Sequence, residues 1–159
     1  MNKGSFASDG REILFTWWRG LEQDKGGRAE LRRCHTLTEV VLLPVYHGLY
    51  QPLMALPEHH WRRERLPAVA ALVAMVDVWE SGLPSLPEQM SQKVGERKLV
   101  SDLRFRRLLQ CQEPEELFQS LRRVVRLLNH RVDMFSLADG VHDWGDRLRK
   151  EWALDYYAT

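Results

Sequence analysis

Apolar residues recur along the chain at steps of three and four, the spacing of helices that bury one face. After Pro114, which suits a first helical turn, Leu117, Leu121, Val124, Val125 and Leu128 fall on one stripe at about 100° per residue. Glu115 and Glu116 sit where the helix dipole favours negative charge, and Gln119, Arg122, Arg123 and Arg126 occupy the opposite arc. The preceding stretch, from Leu99 to Gln110, places Phe105, Leu108 and Leu109 on one face and Arg104, Arg106 and Arg107 on the other, with Leu103 among the arginines.

Upstream, residues 1–8 read as a frayed end, and Asp9 as the cap of a helix carrying Ile13, Leu14, Trp17, Trp18 and Leu21. Gly26-Gly27 is expected to end that helix, and a short one follows from Arg28 to Cys34. Thr36 or Thr38 caps the segment Glu39–Tyr50, which Pro44 must kink or restart. Pro52 and Pro57 bracket a loop, and one or two amphipathic turns run to Arg65. Pro67 then opens the least polar helix, Ala68 to Glu80, with a stripe of Val69, Leu72, Val73, Val76 and Trp79.

Residues 81–97, with two prolines and two glycines, break the pattern and read as a long connection. A last helix capped by Ser136 runs to about Tyr157 through Leu137, Val141, Trp144, Leu148, Trp152 and Tyr156, weakened by Gly140 and Gly145. No stretch alternates as a sheet does. The expected architecture is all-α, a compact two-lobed helical bundle of about six to eight helices. Residues 9–80 form an N-terminal helical lobe, 81–97 a connector and 98–157 a C-terminal helical lobe. Phe105, Leu108, Leu121, Val125, Leu128, Trp144, Leu148 and Trp152 are the expected core of the second lobe.

Composition leaves that picture unchanged, with 44% apolar and 28% charged residues in a chain of 159. Two cysteines make no disulfide framework, and no apolar run nears the roughly 20 residues of a membrane span. The start of the chain has no signal-peptide core, so a cytoplasmic protein without a membrane partner is expected.

Charge does change the picture. From Arg97 to Arg131 nine Lys/Arg face four acids, a local charge of +5 in a chain whose total is +1. Concentrated basic charge suggests an anionic partner. Arginine, which grips phosphate with paired hydrogen bonds and stacks on bases, far outnumbers lysine here. The candidate nucleic-acid-binding residues are Arg28, Arg32, Arg33, Arg104, Arg106, Arg107, Arg122, Arg123 and Arg126, with Arg62, Arg63 and Arg65 forming a further patch. The near-neutral total argues against a free-standing tight binder and for a subunit whose acidic remainder faces protein neighbours.

Catalytic motifs are missing: there is no phosphate-binding glycine loop, His-Glu-x-x-His, Cys-x-x-Cys or Gly-x-Ser-x-Gly. Cys34 and His35 point about 100° apart on a helix, so Cys34 reads as structural. His59-His60 needs metal partners from elsewhere, and Asp77 reads as a hydrogen-bonded edge residue. No catalytic residue, cofactor or metal is expected.

Several segments in order resemble the CasB family, the small subunit of the type I-E CRISPR surveillance complex called Cascade. They are Trp17-Trp18-Arg-Gly-Leu, Gly27-Arg-Ala-Glu-Leu-Arg-Arg-Cys34, Ser101-x-x-Arg104-Phe-x-x-Leu-Leu109, Leu121-Arg-Arg-x-x-x-Leu-Leu128, Asp133-x-x-x-Leu-Ala138 and Trp144-x-x-x-x-Arg149-x-x-Trp152-x-x-Asp155-Tyr-Tyr157. The resemblance, from about Asp9 to Tyr157, implies a non-catalytic, two-lobed all-α protein present as two copies, head to tail. It implies contacts with crRNA-carrying backbone subunits and the large subunit, and support of the target and displaced DNA strands of the R-loop. Arg32 and Arg33 match the Arg-Arg closing the family's early basic helix, Arg104 the arginine of its third-quarter helix, and Arg122 and Arg123 its Leu-Arg-Arg pair. Two rivals stand beside it: a helical adaptor whose basic face binds an acidic protein, and an enzyme assembled from His130, Asp139, His142 and Asp143.

Overall fold

The computed structural model describes residues 4–7, 10–57 and 59–158. Among them are ten α-helices, more than the six to eight expected, and one small hairpin. The helices are α1 (Arg11–Gly20), α2 (Lys25–Arg33), α3 (Leu37–Val41), α4 (Pro44–Met54), α5 (Leu66–Val73), α6 (Leu86–Ser91), α7 (Asp102–Leu109), α8 (Pro114–Leu127), α9 (Met134–His142) and α10 (Asp146–Tyr156). Strands β1 (Lys93–Val94) and β2 (Arg97–Lys98) pair antiparallel between α6 and α7.

α5 is the element the others surround. All eight of its residues are buried, and α2, α3, α4, α8 and α9 pack against it. A helix apolar on every side has no place at a surface. It is shorter than its apolar pattern suggested: the helix stops at Val73, and Val76 is buried while Asp77 and Val78 are exposed. The expected core residues of the C-terminal half are all buried, in one hydrophobic cluster with Leu14, Trp18, Leu31 and α5.

Caps explain most boundaries. Thr36, Ser85, Ser101 and Asp133 accept from amides of the helices they precede, and Glu113 and Glu116 form a capping box on α8. Gly26 and Gly27 do not end α1; they lie in the first turn of α2, where Asp24 accepts from the Gly27 amide at 2.9 Å. A Cβ on Gly27 would lie 2.5 Å from that carboxylate, so a side chain there would make the Asp24 cap shift. Pro44 begins α4, and Pro52 sits inside its last turns instead of in a loop. The expected cap Asp9 lies outside the described residues.

Three further expectations need correction. The start of the chain is docked where it is described: Phe6 is fully buried, and the Ser5 and Phe6 amides donate to Asp143 and Asp139. The stretch 81–97 carries α6, whose Leu86, Pro87 and Met90 are buried, and most of the hairpin. The last helix is two, broken at Gly145; Asp133 caps the first, while Ser136 accepts from the Leu86 amide. Gly140 has a packing reason, since a Cβ there would lie 2.4 Å from the Trp152 ring.

Candidate nucleic-acid interface

The arginines divide by what their guanidinium groups touch. Arg122, on the arc expected to face outward, is buried at 8% exposure. It donates to the Cys34 carbonyl at 2.7 Å and the Arg32 carbonyl at 3.3 Å, and lies against the Phe118 ring. Those carbonyls close α2, whose last turn leaves acceptors without helical partners. A cation there satisfies both the hydrogen bonds and the dipole. Burial, then the nearby Arg126, pulls the Arg122 pKa below its ordinary value.

Arg28 and Arg32 do the same for α5. Their Nε atoms donate to the Ala74 carbonyl at 3.2 and 2.9 Å, and Arg28 reaches the Val76 carbonyl at 2.8 Å. Asp77 balances them, 2.7 Å from Arg32 and 3.5 Å from Arg28. A buried helix end must find donors or lose about 1–3 kcal/mol per unsatisfied group. Arg65 likewise donates to the His142 carbonyl ending α9 and to the Trp144 carbonyl just beyond it, and Arg149 to the Leu109 carbonyl ending α7. Each inward arginine closes another helix.

A second set stays outward. Arg104 and Arg107 of α7 and Arg123 of α8 line a groove of about 320 Å3 floored by Leu108 and Val124. An adjoining groove of about 540 Å3 is lined by Arg97, Lys98 and Asp102 and shares Arg104 and Leu127 with the first. The two make one channel along the α7–α8 face, beginning at the hairpin. Arg97, Arg104, Arg107 and Arg123 are exposed and form no ion pair or side-chain hydrogen bond among the described residues. Lys98 lies with its ammonium 4.1 Å from the centre of the Tyr156 ring.

Most other charges of this stretch are already matched. Arg106 pairs with Asp102 at 3.0 Å, and Arg131 makes a two-pronged contact with Glu80. Glu113 and Glu116 cap α8, and Glu115 accepts from the Leu37 amide. Arg33 and Arg126 are exposed but do not line the channel. Of the nine candidates, the structure thus gathers Arg104, Arg107 and Arg123. Arg97 and Lys98 join them although they fell in or beside the connector; the glycine-first loop Gly95-Glu96, with Gly95 at φ +68°, was the available hairpin signal.

The remaining chemical candidates are absorbed by the fold. Cys34 and Cys111 are buried free thiols, both pushed up from the ordinary value by burial, the opposite of an activated thiolate. His142 donates to Asp143 over 2.8 Å through Nδ1, and its Nε2 accepts from the Arg62 amide at 2.9 Å. That second contact fixes Nε2 as unprotonated. Burial raises the Asp139 carboxyl to about 7, and its Oδ1 accepts from the Phe6 amide. These three hold the start of the chain, while His130 is elsewhere, against the Met75 carbonyl. No group of His, Cys, Asp and Glu among the described residues could hold a metal ion. No helix among them is long and apolar enough to cross a membrane.

Comparison with known proteins gives a consistent result. A family model described as CRISPR-associated protein Cse2 matches residues 27–157. The crystal structure of CasB from Thermus thermophilus superposes with a TM-score of 0.71 at 25% identity, covering 96% of this chain and 99% of that one. No curated protein matches.

Proposed function

The chain belongs to the CRISPR-associated Cse2 family, and from that premise we propose that it is a non-catalytic structural subunit of an RNA-guided, DNA-targeting Cascade complex in the cytoplasm. In this reading it sits as two copies against the crRNA-carrying backbone and the large subunit. Its α7–α8 channel lies along the sugar–phosphate backbone of crRNA or target DNA and steadies the R-loop. The observation that carries the reading is the row Arg97, Arg104, Arg107 and Arg123, exposed on one channel with no acid among the described residues paired to any of them. R-loop formation is a nearly balanced exchange of duplexes, so a few backbone contacts tip it.

The test is a complex reconstituted with Arg104→Ala, Arg107→Ala and Arg123→Ala together. The expected outcome is full incorporation by native mass spectrometry and R-loops shortened by roughly ten- to a hundredfold, by a similar factor on different target sequences. Contacts to phosphate position a strand without reading it. A variant left out of the complex would instead assign these arginines to an acidic protein neighbour, the adaptor reading. An unchanged lifetime would leave the channel merely solvated.

A further inference from the structure

We infer that Tyr157 is a stacking platform for an unpaired nucleobase at the mouth of the α7–α8 channel; this rests on the phosphate-binding reading of that channel. Tyr157 follows α10 and keeps 49% of its surface exposed, unusual for a ring so well held. Phe105 and Tyr156 stack face to face, 3.9 Å between centroids, and the Tyr157 ring stands across both at 75° and 83°. Its hydroxyl donates to Asp102, a residue lining the channel. The Lys98 ammonium lies 5.4 Å from its centroid. The ring is therefore held beside two residues that line the channel, Asp102 and Lys98, and is half open to solvent.

An apolar side chain, Leu127, lines both parts of the channel. A duplex keeps its bases inside and offers such a face only phosphates. A strand with unpaired bases offers phosphates to the arginines and a π-face to the ring, the pairing used by sequence-tolerant single-strand sites. Charge complementarity and the exposed ring together select an unpaired strand over a duplex.

The experiment titrates the full chain at low salt with a single-stranded DNA of about 20 nucleotides containing 2-aminopurine, and with the matching duplex. The unaltered chain is expected to bind the single strand more tightly and to quench the probe. Tyr157→Ala is expected to weaken single-strand binding by about tenfold and to abolish quenching, with duplex binding changed less than about twofold. Tyr157→Phe, which keeps the ring and loses the Asp102 bond, is expected to stay within about twofold of the parent. Equal losses on both ligands, no loss, or a Phe variant as weak as the Ala variant would each overturn the assignment. Arg123→Ala separates the two levels. If it weakens both ligands while Tyr157→Ala weakens neither, only the stacking role falls; if it weakens neither, the channel reading falls and the stacking role with it.

Discussion

Arg122 and Arg123 are neighbours on α8, yet one is sealed inside the protein and the other stands in an open channel. Arg122 closes the end of α2 through two carbonyls, and Arg123 pairs with no acid among the described residues. The contrast repeats across the molecule. Arg28, Arg32, Arg65 and Arg149 point at carbonyls that end α5, α9 and α7, whereas Arg97, Arg104 and Arg107 point into the channel. Short helices packed on a buried centre create many interior helix ends, and each end needs donors. Arginine meets that need because its planar fork reaches two acceptors at once. A count of arginines in such a bundle is thus not a count of phosphate contacts.

Substitution should divide the two sets by what they disturb. Arg122→Ala leaves two buried carbonyls without their donor, and a loss of about 3 kcal/mol is expected in urea unfolding. A stable Arg122→Ala protein with weakened strand binding would put Arg122 in the wrong set. Arg28→Ala and Arg32→Ala should each cost about 1 kcal/mol, being part exposed. The double variant should depart from the sum, because both share the Ala74 carbonyl and Asp77. Arg123→Ala should leave unfolding within about 0.5 kcal/mol of the parent and lower the salt slope of strand binding by roughly 0.7–0.9. Smallest of all, Arg106→Ala should change stability by about 0.3–0.5 kcal/mol, since its partner Asp102 is an exposed residue one turn away. Strand affinity should barely respond to that change, which would set Arg106 apart from Arg104 and Arg107.

Much of this was legible in the sequence, and the failures have physical causes. The stripe of α8 and the burial of Trp144 and Trp152 follow from spacing alone, because a helical face must be covered. Arg122 falls outside the stripe drawn from Leu117 to Leu128 only while Phe118 is not counted in it. With Phe118 buried, the apolar arc reaches about 100° from Leu117, and Arg122 follows at about 140°, on its edge; Arg123 lies a further 100° round. The break at Gly145 was hidden because Leu137 to Tyr156 keeps steps of three and four across it, so both helices show their apolar faces to one core. The 81–97 segment resembles a plain connection because proline breaks a helix interior but suits a first turn, where Pro87 lies in α6. The channel itself could not be read from one helix. It exists only where α7, α8 and the hairpin converge.

The central claim is that the channel arginines neutralise phosphate while the inward ones hold the fold. Its most direct test is the salt dependence of R-loop lifetime in complexes carrying Arg104→Ala, Arg107→Ala and Arg123→Ala, at verified full incorporation. Three lost phosphate contacts should flatten the plot of log lifetime against log salt by about two units or slightly more. A slope equal to that of the parent complex would contradict the claim.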